Sequence, residues 1–496
     1  MPGGSELPLI SRARAHAGRT AVVAAEGTFT YRDLLDASAR VAACLLDGRL
    51  DLGEARIAFL APAGWHYVAS QWGIWRAGGT AVPLATSHPP AELEYVIRDA
   101  EADIVLAHAD HAEPLRTLDA VQRVRFLGTQ QALDGTTPHS PLPEVGEGRR
   151  AMMVYTSGTT GRPKGVVTTH ANLRAQVTSL ITAWEWTAED AILLVLPLHH
   201  VHGIVNVLAC ALWAGARCEM HPKLDPARVW SRFADGDLTL FMAVPTIYNK
   251  LIAAWDAAPP ERQRAWSAGC SRMRLMVSGS AALPVRTLER WREISGHVLL
   301  ERYGMTEIGM ALSNPLRGER RPGFVGTPLP GVEVRLVEGE ILVRGPNVFL
   351  EYWRRPDETA QAFRDGWFRT GDMAVLEDGA YRILGRASVD IIKSGGYKIS
   401  ALEIEEVLRT HPAIVECAVV GVEDAEWGER VCAAVELRGR GEGRGDGTLA
   451  LEELQRWAKQ RLAPYKVPRA LRCVAALPRN AMGKVMKPEV ARLFQS

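Results

Sequence analysis

Between residues 31 and 109, short apolar runs alternate with segments whose apolar positions recur every three or four residues. The runs ARIAFLAPAG, GGTAVPLA and ADIVLAHA are bounded by Gly, Pro or Asp, which is typical of short strands. YRDLLDASARVAACLLDG and AELEYVIRDAEA have the spacing of amphipathic helices. This alternation predicts an α/β fold in which helices cover largely parallel sheets.

The pattern changes twice further along the chain. AILLVLPL, LTLFMAV and RLMVSGS predict more strands, with helices predicted at WSRFADG and PTIYNKLIAAW. Beyond Gly331, VEVRLVEGEILVRG and GWFRTGDMAVLEDGAYRILGR alternate as short strands do, which predicts a β-rich subdomain. After Arg386, two helical patterns and three strand patterns predict a small α+β domain. We therefore predict a large N-terminal domain, 1–386, and a small mobile C-terminal domain, 387–496.

Length and charge narrow the class of protein. A chain of 496 residues exceeds the size at which one core keeps growing, so at least two domains are expected. Its 58 basic and 57 acidic residues leave a net charge of +1, which gives no reason to expect a nucleic-acid or membrane partner. The apolar run from Ile204 to Ala214 contains Asn206 and is too short to span a bilayer, so it predicts a buried core helix.

The N-terminal residues and the cysteines bear on location. The first residues, MPGGSELPLISRARAHAG, lack the continuous apolar segment of a secretory signal. The seven cysteines are widely spaced and form no CxxC pair, which favours reduced, buried thiols. We therefore expect a cytoplasmic protein. The arginine–glycine stretch RGRGEGRGDG carries acidic residues and lies between a predicted strand and a predicted helix, so we interpret it as a surface loop.

The stretch YTSGTTGRPKG, residues 155–165, combines glycines, hydroxyl side chains and two cations after a predicted strand. Its spacing is not that of a P-loop, because Pro163 stands where the second glycine would be and Gly165 follows Lys164. The G-x-G-x-x-G fingerprint of dinucleotide-binding folds is absent as well. A flexible backbone with hydroxyl donors that ends in a cation can still wrap a polyphosphate. The stretch therefore predicts a phosphate-binding loop.

This loop resembles the signature loop of the adenylate-forming superfamily, which includes acyl-CoA synthetases, luciferases and peptide-synthetase adenylation domains. Further segments resemble motifs of that superfamily in its order: LPLHHVHG, VSGSAALP, ERYGMTE, WFRTGD, GRASVDIIKSGGYKIS and PRNAMGKVMK. They cover the chain from about residue 150 to the end. ERYGMTE, together with SNPLRGERRPGFVGTPLPGV and GPNVFLEYW, is similar to malonyl-CoA synthetases within the superfamily.

The resemblance implies an enzyme in which a carboxylate attacks the α-phosphate of ATP, forming an acyl-adenylate that then passes to the thiol of coenzyme A. The loop up to Lys164 would hold the β- and γ-phosphates, Thr306 the α-phosphate, and Glu307 with Thr159 the Mg²⁺ ion. Tyr303 would stack on adenine, while Asp372 and Arg386 would bind ribose. The full set of expected ATP and CoA contacts is Thr156, Ser157, Gly158, Thr159, Thr160, Gly161, Lys164, Ser278, Gly279, Ser280, Ala281, Glu301, Tyr303, Gly304, Met305, Asp372, Arg386, Lys393, Ser394, Gly395 and Gly396.

Lys484 and the segment around Gly395 imply a two-step cycle. By resemblance, Lys484 enters the site for adenylation and bridges the carboxylate and the α-phosphate, and a lysine acetyltransferase could silence it. Rotation of the small domain would then bring Gly395 and Gly396 to the adenylate so that pantetheine passes along bare backbone. The chain departs from the common hinge pattern, since Ser388 stands where Asp or Lys is usual and Asp390 is displaced by one residue. The position of the pivot stays open.

The identity of the acid rests on Arg302. If VLLERYG is a strand, Arg302 faces away from Glu301 and Tyr303, and a buried arginine needs an anionic partner such as a substrate carboxylate. An alternative is that Arg302 pairs with a protein acid or reaches solvent. His200 and His202 lie where the acyl pocket of the family opens, and Ile308 and Met310 would limit its length.

We predict a ligase for a small dicarboxylic acid, malonate or methylmalonate. The alternatives are a short- or medium-chain fatty or aryl acyl-CoA ligase, a carrier-protein-dependent adenylation module, and a non-catalytic nucleotide-binding protein.

Overall fold

The computed structural model describes residues 6–135, 141–156, 162–438, 449–479 and 485–495. Three sequence predictions therefore lie outside the described residues: the centre of the glycine-rich loop at 157–161, nearly all of the arginine–glycine stretch, and Lys484. The described residues form three sheets up to Arg386 and a fourth beyond it. The predicted fold class, a large α/β region followed by a small α+β domain, is confirmed.

The first sheet has seven strands, of which five run parallel. Lys164–Thr169 is antiparallel to both of its neighbours, Arg150–Thr156, with which it pairs as a hairpin, and Glu351–Tyr352. In spatial order the strands are Glu351–Tyr352, Lys164–Thr169, Arg150–Thr156, Thr80–Pro83, Arg56–Leu60, Ile104–Ala107 and Arg125–Gly128.

The second sheet has nine strands, and its six central members are parallel. Antiparallel hairpins close both edges, which allows a short turn to follow the strand that carries Arg302. In spatial order the strands are Thr327–Pro328, Gly309–Ser313, Leu300–Met305, Leu275–Ser278, Leu240–Ala243, Ala191–Leu194, Arg217–Met220, Thr20–Ala24 and Gly27–Thr30.

Helices cover the faces of both sheets and bury the largest core cluster, which includes four fully buried tryptophans, Trp72, Trp184, Trp230 and Trp291. The predicted core helix around Asn206 is present as a π-helix, His202–Ala209, that continues as Cys210–Ala214. No helix within the described ranges is both long and apolar enough to cross a bilayer. The other helices before Arg386 are Pro8–Ala15, Tyr31–Leu46, Trp65–Arg76, Pro90–Asp99, Ala109–Arg116, Thr129–Leu133, His170–Trp184, Pro226–Asp235, Pro245–Asp256, Pro260–Cys270, Val285–Ser295 and Pro356–Ala362.

The β-rich subdomain and the C-terminal domain follow in sequence. The third sheet consists of Glu333–Val337, Glu340–Arg344, Phe363–Arg364, Trp367–Glu377 and Ala380–Arg386. The fourth consists of Ile391–Ser394, Tyr397–Ser400, Ile414–Asp424, Gly428–Leu437 and Ala470–Val474. The helices of the C-terminal domain are Ala401–Leu408, Leu451–Ala458, the 3₁₀ turn Pro464–Lys466, and Lys487–Arg492.

Apart from the hydrogen bonds that Ala387, Val389 and Asp390 make with Gly371 and Arg386 in the linker, two hydrogen bonds connect the C-terminal domain to the rest of the described chain. The Ser400 hydroxyl donates to the Leu384 carbonyl at 2.5 Å, and the Val285 amide donates to Glu406 Oε1 at 3.0 Å. The second contact places a carboxylate at the start of the helix Val285–Ser295, where unpaired amides favour a negative charge. Both contacts involve single bonds rather than an extended apolar core.

Candidate active site

The predicted metal-binding residue lies in a turn that is fixed from one side. Thr306 and Glu307 connect the strands Leu300–Met305 and Gly309–Ser313. The Phe349 amide donates to the Glu307 carbonyl at 2.7 Å, and Asn347 Nδ2 donates to the Ile308 carbonyl at 2.6 Å. The backbone that carries Thr306 and Glu307 is therefore held in place by the neighbouring loop.

The Glu307 carboxylate is buried, with only 6% of the residue exposed. Tyr352 donates its hydroxyl to Glu307 Oε1 at 2.9 Å. Burial raises the pKa of Glu307, although Tyr352, Arg386 and Lys164 each favour its charged form. A carboxylate with one oxygen oriented by a tyrosine and positive groups nearby presents the hard oxygen ligand that Mg²⁺ requires.

Lys164, the cation at the end of the phosphate loop, lies next to this carboxylate. Its Nζ is 5.1 Å from the centre of the Tyr352 ring, so Tyr352 contacts both groups. Lys164 also forms an ion pair with Glu358 on the helix Pro356–Ala362, and the pairing lowers the pKa of Glu358. The described structure therefore gives the predicted phosphate-binding lysine a protein carboxylate as its partner.

The two ends of the phosphate loop are paired across the hairpin, Thr156 opposite Lys164. Tyr95 donates its hydroxyl to the Pro163 carbonyl at 2.8 Å, which ties the returning arm of the loop to the helix Pro90–Asp99. Tyr155 donates to Asp99 Oδ2 of the same helix at 2.7 Å. Both arms of the loop are therefore anchored to one helix. Ser157, Gly158, Thr159, Thr160 and Gly161 lie outside the described residues.

Three residues expected to contact the nucleoside lie together. The Tyr303 hydroxyl donates to Asp372 Oδ2 at 2.6 Å, and Arg386 Nε donates to Asp372 Oδ1 at 3.0 Å. Burial, followed by the charge of Asp372, raises the pKa of Tyr303 well above its ordinary value. The carboxylate thus orients both an aromatic ring and a guanidinium group, which can offer a stacking surface and polar contacts to a sugar.

Arg302 is buried and has no carboxylate partner in the described part of the chain. Only 3% of the residue is exposed, and burial lowers its pKa to about 9. Its Nη2 donates to the Ser280 hydroxyl at 3.3 Å, while its Nε has no hydrogen-bond partner among the described residues. The guanidinium packs against Gly279, where an added Cβ would lie 2.4 Å from Arg302 Cζ, so this close approach requires glycine.

Further polar atoms without partners lie beside this guanidinium and on the helix that begins at His202. Ser280 Oγ lies 3.3 Å from Nδ1 of His202 and so connects His202 to Arg302. His202 Nε2, His200 Nε2 and Asn206 Nδ2 are buried and have no hydrogen-bond partner within the described ranges. Buried polar atoms without partners cost free energy, so a cluster of them around an arginine indicates a pocket for a polar, anionic group.

The histidines of this cluster are neutral. Burial is the main cause that lowers the pKa of His200 to about 4, and burial with the charge of Arg302 lowers the pKa of His202 well below its ordinary value. The ring of His199 stands 4.2 Å from that of His200, centre to centre. Neutral imidazoles can donate or accept one hydrogen bond at each nitrogen, so they can bind a carboxylate without adding a second buried charge.

The remaining predicted residues of this region lie in the same two strands or, for Ile308, in the turn between them. Ile308 and Met310 are buried, and Met310 packs against Gly304 across the hairpin. Glu301 accepts a hydrogen bond from the Gly323 amide at 3.1 Å, and burial raises its pKa to about 8. Met305 ends its strand. A length-limiting role for Ile308 and Met310 stays a prediction.

Ser278 and Ala281, the remaining members of the predicted nucleotide-binding segment, border Gly279 and Ser280. Ser278 ends a strand and its buried hydroxyl has no partner in the described ranges, whereas Ala281 is exposed in the segment that follows. A buried hydroxyl beside exposed backbone fits a position where a ligand completes the hydrogen bonds.

The CoA-contacting residues predicted in the C-terminal domain form a tight hairpin. Lys393 and Ser394 end one strand, and Gly395 and Gly396 make the turn with φ of 56° and 81°, a left-handed conformation that favours glycine. The Gly395 amide donates to the Trp427 carbonyl at 2.9 Å. The hydrogen bonds of this hairpin among the described residues stay within the C-terminal domain. The structure does not bring it together with Thr306 and Glu307.

Sequence reasoning missed three residues of this site. Tyr352 contacts Glu307 and lies in GPNVFLEYW, a segment that entered only through the family resemblance and had no site role assigned, whereas Glu358 contacts Lys164 and lies outside the quoted motifs. Asn206 is a buried polar residue without a partner in the described ranges, on the same helix as His202, and a signal for it was available. It is the polar residue that interrupts the longest apolar run of the chain. A lone amide in a buried helix needs a hydrogen-bond partner, and that requirement points to a ligand.

Residues 9–353 match the family model of the AMP-binding enzymes, and residues 403–484 match that of the AMP-binding enzyme C-terminal domain. The chain belongs to the AMP-binding enzyme family. The predicted adenylate-forming resemblance is therefore confirmed, and with it the class of activity, an AMP-forming acid–thiol ligase.

Two groups of AMP-binding enzymes are especially similar to this chain. The human protein named malonate–CoA ligase ACSF3, mitochondrial, is 48% identical, with 98% of this chain and 92% of that protein covered. The ATP-bound structure of MatB from Rhodopseudomonas palustris superposes with a TM-score of 0.88 at 33% identity, covering 99% of each chain. A malonyl-CoA ligase complex with methylmalonyl-CoA and AMP superposes with a TM-score of 0.68 at 37% identity, covering 96% of this chain and all of that one.

Proposed function

We propose that this AMP-binding enzyme is a malonate:CoA ligase that also accepts methylmalonate. Malonate attacks the α-phosphate of ATP to give malonyl-adenylate and pyrophosphate. The thiol of coenzyme A then displaces AMP and gives malonyl-CoA. The observation that carries the proposal is the buried Arg302 guanidinium, which no carboxylate of the described residues neutralises. A malonate molecule can place its second carboxylate there while the first reacts.

The polar cluster supports a small dicarboxylic acid over a fatty or aryl acid. His202, His200 and Asn206 would bind the second carboxylate together with Arg302, each through a nitrogen that lacks a partner in the described ranges. A fatty chain would leave these nitrogens and the charge unsatisfied. The named relatives act on malonate or carry methylmalonyl-CoA, in keeping with this pocket.

The phosphates would be bound at the other end of the site. Lys164 and the loop before it would hold the β- and γ-phosphates, and Thr306 the α-phosphate. Glu307 and Thr159 would hold a Mg²⁺ ion, which supplies positive charge to the phosphates. No group of three or more His, Cys, Asp or Glu side chains with metal-binding geometry occurs among the described residues. A single carboxylate therefore fits an ion whose other ligands are phosphate oxygens and water.

Lys484 would bridge the reacting carboxylate and the α-phosphate. Two anions meet in this step, so a fixed positive charge where negative charge accumulates lowers the barrier, by an amount on the order of several kcal/mol. Acetylation of Lys484 by an acetyltransferase would neutralise that charge and silence adenylation. Acetylated protein that still exchanges pyrophosphate at the unmodified rate would contradict this regulation.

The second step requires coenzyme A to reach the adenylate. We propose that the domain after Arg386 rotates and brings the Gly395–Gly396 turn to the site, where the bare backbone leaves room for pantetheine. Two observations support it. Beyond the linker at 386–390, single hydrogen bonds join the domains among the described residues. The chain also superposes less well on the CoA-containing product complex than on ATP-bound MatB, despite higher identity to the former.

The cellular location remains a prediction. The sequence favours the cytoplasm, whereas the human relative carries "mitochondrial" in its name. Fractionation of the cells that produce the protein decides between the two.

Pyrophosphate release with a panel of acids tests the proposed function. We expect malonate to give the highest kcat/KM, methylmalonate to follow, and acetate and octanoate to give little turnover, with AMP as the nucleotide product. Lys484→Ala should abolish malonate-dependent pyrophosphate exchange without changing the fold. If octanoate or acetate reacts as well as malonate, the dicarboxylate assignment is wrong. If no acid yields AMP, the ligase assignment is wrong.

A further inference from the structure

Lys487 is a buried cation in the C-terminal domain with two carboxylate partners. Its Nζ lies 2.6 Å from Asp390 Oδ1 and 2.8 Å from Glu405 Oε1, and 11% of its side chain is exposed. Burial alone would lower the pKa of Lys487, but Glu405 and Asp390 together raise it, so the ammonium group is fully charged at neutral pH. Lys487 therefore joins two parts of the chain that are far apart in sequence.

Both partners of Lys487 are themselves held rigidly. Glu405 Oε1 accepts a hydrogen bond from the Val419 amide at 2.9 Å, which fixes Glu405 to the strand Ile414–Asp424 of the same domain. Asp390 Oδ2 accepts from the Arg386 amide at 2.9 Å, and the Asp390 carbonyl accepts from the Ala401 amide at 2.8 Å. Asp390 thus connects the segment between the domains to the start of the helix Ala401–Leu408.

Lys487 stands at the base of the loop that carries Lys484. Arg479 and Val485 form an antiparallel bridge on the two sides of that loop, and the Met486 amide donates to the Pro478 carbonyl at 2.8 Å. Lys487 follows directly as the first residue of the helix Lys487–Arg492. Any displacement of Lys487 moves the returning arm of the loop, three residues from Lys484.

We propose that Lys487 is a positioning residue for adenylation: its ion pairs with Asp390 and Glu405 fix the base of the Lys484 loop relative to the segment about which the domain rotates. The inference rests on the proposed function, in which Lys484 acts in the first step only. Lys487 itself contacts neither substrate nor nucleotide in this role. Its two carboxylate partners lie within the domain or at its first residues, so the contact can move with the domain as a unit.

This geometry predicts a loss confined to one half reaction. Adenylation needs Lys484 within hydrogen-bonding distance of its substrates, and a misplacement of about 1 Å can cost on the order of 100-fold in rate. Transfer to CoA does not use Lys484. The malonate pocket belongs to the N-terminal domain, so the KM for malonate should stay unchanged while kcat for adenylation falls.

The test compares three full-length variants with the wild-type enzyme. Lys487→Met removes the charge and keeps much of the volume, and we expect malonate-dependent ATP–pyrophosphate exchange to fall about 10- to 100-fold in kcat. Lys487→Arg keeps the charge and should recover most of the lost rate. Lys466→Met is the matched control. It removes the ion pair, at 2.5 Å, between Lys466 and Glu403, which lies on the same helix as Glu405, but this ion pair involves neither the Lys484 loop nor the linker. It should retain the wild-type exchange rate.

The second half reaction is measured separately, by adding CoA to preformed malonyl-adenylate. We expect Lys487→Met to form malonyl-CoA at close to the wild-type rate. Equal loss in both half reactions would show a general structural role and overturn the inference, as would undiminished exchange in Lys487→Met. If Lys487→Met does not fold, Asp390→Asn decides, since it weakens the linker contact and leaves Glu405 in place. The inference predicts reduced exchange for it as well, and unchanged exchange overturns it.

Failure of the inference is distinguishable from failure of the proposed function. If wild-type enzyme shows no malonate-dependent exchange, or Lys484→Ala exchanges normally, the proposed function or the role of Lys484 is wrong. If wild-type and Lys484→Ala behave as proposed and Lys487→Met matches wild type, only the positioning role is wrong.

Discussion

Arg302 and Lys487 are both buried cations, but their surroundings differ. Lys487 lies between two carboxylates, and these charges raise its pKa. Arg302 donates one side-chain hydrogen bond among the described residues, to the Ser280 hydroxyl, and burial lowers the pKa of Arg302 to about 9. The protein thus neutralises one buried charge with its own residues and leaves the other without a partner carboxylate among the described residues.

The difference indicates what each charge is for. A paired buried charge holds segments of a chain together, and removing one partner leaves the others uncompensated. An unpaired buried charge destabilises the free protein, and a ligand of opposite charge relieves that cost when it binds. Arg302 therefore fits a substrate-binding role, and Lys487 fits a positioning role.

The largest expected effect comes from removing the unpaired charge. Arg302→Leu should lower kcat/KM for malonate on the order of 30- to 1000-fold, which corresponds to about 2–4 kcal/mol of lost transition-state stabilisation. The second carboxylate of the bound malonate would then be desolvated without a counter-ion. The small activity with acetate should change little, since acetate has no second carboxylate. The melting temperature should stay or rise in Arg302→Leu, whereas Lys487→Met should lower it.

Steady-state kinetics with the two acids and thermal unfolding of both variants make this measurement. Arg302→Lys is the matched variant, because it keeps a positive charge but not the planar donor pair. Equal losses with malonate and acetate would mean that Arg302 supports the site in general rather than the second carboxylate.

Glu301 extends the comparison to a buried acid on the same strand. Burial raises the pKa of Glu301 to about 8, from an ordinary value of 4.5. Between these values the folded protein keeps a proton that the unfolded chain releases, so stability falls as pH rises from about 4.5 to about 8. Glu301→Gln removes this dependence and should be more stable than wild type at pH 8, by about 1–3 kcal/mol.

Unfolding by urea at pH 5.5 and pH 8 checks the prediction for Glu301. The free energy of unfolding of wild type should decrease more between the two pH values than that of Glu301→Gln. Glu333→Gln is a suitable control, because Glu333 is an exposed carboxylate paired with Arg344. Parallel curves for wild type and Glu301→Gln would show that Glu301 is already ionised in the folded protein.

Local signals were sufficient where a residue's role depends on its neighbours in sequence. Arg302 and Tyr303 alternate along a strand, so the sequence alone places them on opposite faces. The strand is shorter than the segment VLLERYG and begins at Leu300, but Arg302 and Tyr303 do contact different groups, Ser280 and Asp372. The motif order likewise predicted the family and the two-part fold.

Other features depend on contacts that no local pattern encodes. The helix Trp65–Arg76 was not predicted, because nearly all of its residues are buried and the apolar stripe of a surface helix is missing. Glu358 and Lys487 meet partners from distant segments, so their roles become visible only in the folded chain. The sequence shows the departure from the usual hinge pattern at Ser388 and Asp390. It does not show that Asp390 forms an ion pair with Lys487.

A smaller effect is expected where the protein orients a charge without neutralising it. Tyr352→Phe removes the hydrogen bond to Glu307 and should weaken Mg²⁺ binding by about 1 kcal/mol. The Mg²⁺ concentration that gives half-maximal adenylation should rise roughly fivefold. Titration of Mg²⁺ at saturating malonate measures it. Tyr31→Phe is the matched control, since the buried Tyr31 hydroxyl donates to the Ala216 carbonyl, away from Glu307 and the phosphate loop. Equal effects of the two changes would contradict a specific role for Tyr352.

The smallest expected effect concerns a cation whose protein partner competes with the substrate. Lys164 pairs with Glu358, whose side chain is 37% exposed, so the ion pair is partly screened by water and contributes little. In Glu358→Gln the phosphates of ATP no longer compete with the Glu358 carboxylate for Lys164. The KM for ATP should therefore fall about two- to threefold. Added salt screens the pair in wild type, so the gap between the two enzymes should narrow as ionic strength rises. A higher KM for ATP in Glu358→Gln would instead show that Glu358 orients Lys164 for phosphate, and Lys164 would then belong with Lys487 among the cations that carboxylates hold in place.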